Sequence, residues 1–491
     1  MMNHKQTLSA LLKGLVKIDA ALERDVDVTG LALDSRRIEA GYLFLAMPGV
    51  SADGREYIED AVRRGAVAVL YESSDGFEPP ALSLPQYPVN DLTAIAGAIA
   101  DRFYGSPSRQ LTVIGVTGTN GKTTCTQLLA QSLNQLRRRC AIIGTLGNGF
   151  PGKLDTTIHT TPDVVTVHSL LARFISDGAE FVCIEVSSHA LEQGRVNGVA
   201  FDVAVFTNLT RDHLDYHGDM ESYGAAKARL FSSPELKFAV INGEDKFGCE
   251  LLESIPEYVH SVSFGLSSGD FHAKSINAGH DGLSIEINTP QGAGTIHSQL
   301  FGRFNAANLL AVLAVLVACD VSLVVAAKSL SDVAAVPGRM ERFGGTSDKP
   351  LIVVDYAHSP DALEKVLTAL REHTADALWC VFGCGGDRDR GKRPQMGAVA
   401  ERLADHVLLT DDNPRHEDPE QIINDIRAGM NSDPEVVHRR IDAIRIAIQR
   451  ATPADIILLA GKGHENYQQI GAERIAYSDR DAVAEILGEA A

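Results

Sequence analysis

One run constrains the fold of this chain more than any other: GVTGTNGKTT, Gly115 to Thr124. The apolar stretch LTVIGV precedes its core and KTTCTQLLAQSLNQL follows, so the glycines lie between a buried strand and a helix. Strand, glycine-rich turn and helix in that order are the building unit of a doubly wound α/β sheet. A phosphate-binding loop is usually written G-x-x-x-x-G-K-[ST]. Counting back from Gly121, the first glycine should fall on Val116; Gly115 lies one residue too far out and Gly118 lies inside. In this context Gly118 and Gly121 can turn backbone amides towards phosphate oxygens. Lys122 adds a point charge near the terminal phosphates, and Thr123 offers a hydroxyl to magnesium. The alternative is a glycine-rich turn that binds nothing.

Three domains suit a chain of 491 residues. A net charge of −19 argues against a nucleic-acid footprint, which needs a basic face. An anionic substrate remains compatible, since local cations can gather in a cleft against the global charge. The seven cysteines are scattered, and the Cys380/Cys384 spacing is a poor zinc signature, so reduced core thiols are expected. The N-terminal MMNHKQTLSALLKGLVKIDAALERD has no apolar run before a small-residue cleavage site. Leu309 to Cys319, the longest apolar stretch, is too short to span a bilayer. A cytoplasmic chain without membrane insertion or nucleic-acid partner is the expectation.

Up to residue 104 the text reads as a small mixed α/β domain, with YLFLAM and AVAVLY as strands around a helical YIEDAVRRG. FYGSPSRQ is a polar connector. Residues 105–336 carry the glycine loop and the bounded apolar strands AEFVCIEVSS and FDVAVFTNLT, which suit a parallel sheet covered on both faces. Alternating strands and helices are expected to about residue 336. Residues 337–491 hold PLIVVDYAHSP, ALWCVFGCGGDRD, HVLLTDDNP and DIILLAGKG, four strands each ending in a polar or glycine-rich turn. That is a second, Rossmann-like α/β pattern, whose ligands collect at the carboxyl ends of strands.

Glu185 ends an apolar strand, and a carboxylate there could hold magnesium or merely cap a surface. FTNLTRDHLDYHG gathers Asp212, His213, Asp215 and His217, either a metal site or a polar turn. Lys227 in YGAAKARLF reads as helical, and by itself as a snorkelling surface lysine.

Taken in order, TGTNGKTT, EVSSHAL, TNLTRDHLDYHG and YGAAKARLF resemble the Mur ligase family of peptidoglycan synthesis, over nearly the whole chain. The resemblance explains the loop spacing as the family's own. It implies a UDP-sugar-binding N-terminal domain (1–104), a central P-loop ATPase with a mostly parallel sheet (105–336) and a C-terminal amino-acid-binding domain (337–491). The ATP-binding set implied is Gly118, Thr119, Asn120, Gly121, Lys122, Thr123 and Thr124, with Asn305 and Asn308 of GRFNAANLLA and Arg339 of PGRMER. Helix N-capping is the other reading of the two asparagines. Two magnesium ions are implied, one on Thr123 and Glu185, the other supported by His213 and a carbamylated Lys227. A carbamate suits that place because an ammonium would repel the ion. Asp355 and His358 of DYAHSP are implied to line the ATP side, with Lys122, Lys227, His213 and His358 as the catalytic group.

DDNPRHEDP decides between family members. It resembles the D-N-P-R motif of members that add meso-diaminopimelate to UDP-N-acetylmuramoyl-L-Ala-D-Glu; the lysine-adding relatives lack the arginine. Diaminopimelate carries one carboxylate more than lysine, which the guanidinium of Arg415 can grip bidentately. The resemblance assigns Arg388, Asp412, Asn413, Pro414, Arg415, Gly461 and Glu465 to the amino acid. It assigns Ser35, Thr160, Thr161, Ser187, Gln193 and Arg195 to the nucleotide sugar. Val50-Ser51-Ala52 departs from the H-Q-A of some relatives, which leaves uracil recognition open. A monomer that closes around its substrates is expected. The rival readings are folylpolyglutamate synthase, a lysine-adding ligase, and a P-loop switch that ligates nothing.

Overall fold

The computed structural model describes residues 5–16, 25–49, 52–73, 76–279, 282–374 and 376–488. Val50 and Ser51 lie outside the described residues, and with them most of the uracil-side departure. The chain divides into two bodies, Met1–Phe264 with Ala314–Cys319, and Gly265–Leu313 with Asp320–Ala491.

In the first body, four parallel strands follow one another across a small sheet: Gly30–Ala32, Tyr42–Ala46, Ala68–Glu72 and Gln86–Val89. Side chains alternate across a strand, and the text YLFLA serves both faces. Leu43 and Leu45 pack with Ile99 and Phe103 of the helix Leu92–Phe103, while Phe44 and Ala46 pack with Ile58 and Ala61 of the helix Ile58–Arg63.

The larger sheet of this body runs Cys140–Gly144, Phe181–Glu185, Thr112–Thr117, Val203–Phe206, Phe238–Asn242 and His260–Gly265, all parallel. An antiparallel hairpin, Gly147–Phe150 with Lys153–Asp155, extends its first edge. The loop strand Thr112–Thr117 is central, flanked by Phe181–Glu185 and Val203–Phe206. Its carboxyl end therefore meets Glu185 on one side and Thr207 on the other. Those runs are buried except for the half-buried Thr112, as parallel strands covered by helices require.

In the second body the expected alternation of strand and helix breaks. Phe271–Gly279, Gly282–Thr289 and Gly292–Ser298 form three consecutive antiparallel strands. Their period-two text, with PQG closing the second strand, is the hairpin signal. Beyond them a six-stranded sheet runs Glu341–Thr346, Lys349–Asp355, Ile456–Ala460, Leu378–Phe382, His406–Leu409 and Glu435–Val436, parallel except for the first pair. Two apolar layers cover it, one around Val353, Cys380 and Phe382, the other around Val354, Trp379 and Val381. None of the seven cysteines forms a disulfide; five are buried, but Cys249 is exposed and Cys319 half-buried, so the expectation of core thiols holds for five. Among the described residues no helix is long and apolar enough to cross a membrane.

Candidate active site

The glycine loop closes over the carboxyl edge of the central sheet. Gly118 holds φ +144° beside the Thr207 hydroxyl, which a β-carbon would strike. Gly121, at φ +90°, is the last residue before the helix Lys122–Gln135, which Lys122, Thr123 and Thr124 begin. The loop is held from below: Thr119 N–H donates to Asn208 O (2.8 Å), and Asn120 N–H to Asn208 Oδ1 (3.0 Å). Lys122 Nζ donates to Gly118 O (2.7 Å) and Thr119 O (2.9 Å), so the ammonium is curled under the loop.

Glu185 is fully buried. Its carboxylate accepts from Thr123 Oγ1 (2.8 Å), Thr145 Oγ1 (2.9 Å) and Thr145 N–H (2.9 Å). The structure thus joins Thr123 and Glu185, as the sequence suggests, and adds Thr145, which no motif marked. Thr145 Oγ1 also lies 3.0 Å from Thr160 Oγ1. Thr161 Oγ1 donates to Glu185 O (2.6 Å), and Arg195 donates to Thr161 O (2.9 Å) and to Gln193 Oε1 (2.6 Å). Ser187 caps the helix Ser188–Glu192, accepting from Ala190 N–H, while its own N–H donates to Thr161 Oγ1 (3.2 Å). Thr160, Thr161, Ser187, Gln193 and Arg195 therefore form one bonded patch. Ser35, Gln193 and Arg195 line a cavity of about 1030 Å³ with Phe44, Tyr57 and Arg63.

Lys227, on the helix Met220–Ala228, is 1% exposed, which overturns its reading as a surface lysine. Its Nζ sits 4.2 Å from the centre of the Tyr223 ring, and among the described residues no carboxylate pairs with it. Burial, and then the Lys122 ammonium, push its pKa well below the usual lysine value. Such a place disfavours the charged ammonium. His213, in a left-handed turn (φ +55°), stands 6.1 Å from the same Tyr223 ring. His189, unmarked by the sequence reading, packs against His213 (5.0 Å between centres) and His217 (5.2 Å). Burial and these two imidazoles push His189 down to about 4.

The sequence-marked residues from Asn305 onward belong to the second body. Asn305 lies inside the helix Arg303–Ala318 rather than at its cap; its amide donates back to Phe301 O (2.8 Å) and accepts from Asn308 Nδ2 (3.1 Å). Asp355 is buried and accepts from Met340 N–H and Ala357 N–H, both at 2.8 Å. The Arg339 guanidinium lies 4.7 Å above the Tyr356 ring. His358 is exposed, its Nδ1 2.8 Å from Tyr356 O. A carbonyl only accepts, so Nδ1 carries a hydrogen.

At the carboxyl ends of the second sheet, Asn413 Nδ2 donates to Glu465 Oε2 (2.8 Å). Lys462 Nζ, wholly buried, reaches both Asn413 Oδ1 (3.2 Å) and Glu465 Oε2 (3.1 Å). Gly461 holds φ +112°, with the Asp412 carboxylate where a side chain would go. Arg415 Nη1 donates to Gly386 O (2.7 Å). Arg388 is exposed, and its guanidinium donates to its neighbour's carbonyl, Asp387 O (3.2 Å). Pro414 O accepts from Glu417 N–H (3.1 Å), turning the chain after Arg415. Asp412, Asn413, Pro414, Arg415, Gly461 and Glu465 are thus one site, bordered by Arg388. Lys462 was legible only as part of the run GKGHE.

These arrangements define a class: an α/β protein with a strand–glycine loop–helix turn of the phosphate-binding kind, beside a buried acid and a buried lysine. Comparison with known proteins makes the class specific. The Mur ligase family (catalytic domain) matches residues 27–104, the Mur ligase middle domain 116–316, and the Mur ligase glutamate ligase domain 338–463. A UDP-N-acetylmuramoyl-L-alanyl-D-glutamate–2,6-diaminopimelate ligase of Ectopseudomonas mendocina is 53% identical over 94% of this chain and 95% of its own. The enzyme of that name from Pseudomonas putida is 51% identical over 95% and 96%. A solved structure of such a ligase superposes with a TM-score of 0.74 at 37% identity, covering 99% of both chains. The chain belongs to the Mur ligase family.

Proposed function

We propose that this chain is an ATP-dependent ligase. It joins meso-2,6-diaminopimelate to the D-glutamyl γ-carboxyl of UDP-N-acetylmuramoyl-L-Ala-D-Glu, in the cytoplasm, as a monomer. The observation that carries the reading is end-to-end similarity to ligases of that name together with Arg415 in the D-N-P-R turn. Residues 1–104 would take the nucleotide sugar, residues 105–336 ATP, and residues 337–491 the amino acid.

The substrate carboxylate attacks the γ-phosphate of ATP, and two anions must approach. Gly118 to Thr124 bind the phosphates through backbone amides and Lys122, while Asn305, Asn308 and Arg339 serve the same nucleotide. The residues fit magnesium. Glu185 and Thr123 present oxygens for one ion, and His213 with Lys227 would support the second once Lys227 is carbamylated. Bound there, the ions supply the positive charge that offsets the meeting of carboxylate and phosphate. Carbamylation needs an unprotonated amine: its lone pair attacks carbon dioxide, an N–C bond forms, and one proton leaves. The depressed Lys227 pKa supplies that amine.

The acyl phosphate so formed is attacked by the amine of diaminopimelate, and phosphate leaves from the tetrahedral intermediate. Glu465 and Asn413 hold the ammonium end, and Arg388 and Arg415 the carboxylates. His358, whose Nδ1 is held by Tyr356 O, is the proposed acceptor of the amine's proton through Nε2.

The test is phosphate release from ATP with the nucleotide-dipeptide and either meso-diaminopimelate or L-lysine. Turnover with diaminopimelate alone supports the reading. Turnover with lysine would transfer the chain to the lysine-adding ligases, and silence with both would overturn the proposal.

A further inference from the structure

Two loops carry the arginines assigned to the amino acid: Cys384–Arg388 after the strand Leu378–Phe382, and Asp411–Glu417 after His406–Leu409. A β-carbon on Gly385 would meet both Arg415 Nη1 and Arg388 Cγ, so the two side chains flank one point. The loops are zipped together. Gly386 N–H donates to Asn413 O (2.9 Å), Arg415 to Gly386 O (2.7 Å), and Asp387 N–H to Glu417 Oε1 (2.6 Å).

Beneath them lies Arg393, whose side chain is 0% exposed. Its guanidinium forks onto Glu417, at 2.9 and 3.0 Å, and also donates to Gly385 O (3.2 Å) and Asp425 Oδ2 (2.8 Å). Arg393 thus holds one loop by a carbonyl and the other by a carboxylate, and that carboxylate reaches back to the first. Its Nε is buried without a partner. A buried ion pair that leaves a donor unpaired is a poor stabiliser, and such pairs are retained where they fix a geometry.

We infer that Arg393 and Glu417 are positioning residues that set the separation of Arg388 and Arg415, and with it the spacing at which two carboxylates of one amino acid are measured. The inference rests on the functional reading above. Neither residue touches substrate in it; each acts through the loop backbone. Specificity for a diacid then depends on a pair below the pocket as well as on Arg415 itself.

The experiment compares wild type with Glu417→Ala, Glu417→Gln and Arg393→Lys. It reads kcat, the KM of each of the three substrates, and the preference for diaminopimelate over lysine. Wild type is measured first; without turnover on diaminopimelate the functional reading falls, and the inference with it. Given turnover, Glu417→Ala raises the KM for diaminopimelate roughly tenfold or more, because misplaced recognition groups cost rate steeply. The KM values for ATP and the nucleotide-dipeptide stay in place. Glu417→Gln, whose amide oxygen still accepts from Asp387 N–H, restores most of the loss. Arg393→Lys, which cannot fork, falls between and carries the test should the alanine variant fail to fold. An unchanged diaminopimelate KM in the variants overturns the inference while leaving the ligase intact. A parallel rise in all three KM values makes the pair merely structural and overturns it equally.

Discussion

Replacing Arg415 by methionine tests the specificity pocket most directly. Arg415 holds φ +51°, its N–H donating to Gln469 O (3.1 Å) and its carbonyl accepting from Gly471 N–H (2.7 Å). The hairpin Tyr467–Ile470 with Glu473–Ala476 therefore fixes the backbone whatever the side chain. An unbranched replacement tolerates the left-handed conformation better than a β-branched one. Of the guanidinium's five N–H groups one on Nη1 is committed to Gly386 O, which leaves the Nη2–Nε edge for a carboxylate fork. Two charge-assisted bonds at about 1.5–3 kcal/mol each give about 3–6 kcal/mol. At about 1.4 kcal/mol per decade that is a fall of roughly 10²–10⁴ in kcat/KM for diaminopimelate. L-Lysine, which lacks the second carboxylate, should lose nothing, so the ratio between the two amino acids collapses. Phosphate release under subsaturating amino acid measures both. A loss under about threefold for diaminopimelate, or an equal loss for both substrates, would refute the assignment, since a fork made to one substrate alone must discriminate.

Three further outcomes are expected. Lys227→Met should abolish phosphate release without lowering the urea midpoint, because it removes an amine whose charged form burial disfavours; wild type in ¹³C-bicarbonate should show a carbamate resonance that the variant lacks, and its absence from wild type would end the carbamate proposal. Asp479 is fully buried and forks onto Arg440 at 2.7 and 2.8 Å, so Asp479→Ala strands a guanidinium and should cost about 3–5 kcal/mol, read through Trp379, the single tryptophan, which lies in the same body; a cost near zero would show that water reaches Arg440. His464 is pushed from 6.5 to about 4 by burial, then by Arg339, Arg480 and His358. The unfolded chain binds the proton more readily, so stability is full above pH 6.5 and falls as pH drops towards 4, by on the order of 3 kcal/mol, and His464→Gln should flatten that slope.

The motifs were legible because they sit where a parallel sheet delivers them. Thr117, Glu185 and Thr207 end adjacent strands, and a text of apolar runs closing on polar residues shows that arrangement without coordinates. The same logic located Asp355, Asp412 and Gly461 on the second sheet. What escaped was of two kinds. The antiparallel strands 271–298 carry a period-two pattern broken by short turns, which an expectation of α/β alternation overrides. Thr145, His189, Lys462 and Arg393 act by tertiary contact, with partners 40, 24, 49 and 24 positions away in sequence, and no local pattern encodes such a distance.

The buried cations tie these observations together. In a chain of net charge −19, the largest fully buried side chains include Arg393, Arg440, Lys227 and Lys462. An ion taken out of water must be paired or neutralised. Arg393 has Glu417 and Asp425, Arg440 has Asp479, and Lys462 has Glu465. Lys227 has a tyrosine ring beside it, the repulsion of Lys122 and, against that, a smaller attraction from Asp212, while among the described residues no carboxylate comes within ion-pair distance. A carboxylate beside Lys227 would hold the amine protonated and deny it to carbon dioxide; once carbamylated, the same position is itself an anion and would repel that carboxylate. A buried lysine whose only acidic influence is the more distant Asp212 suits the carbamate proposed for this position.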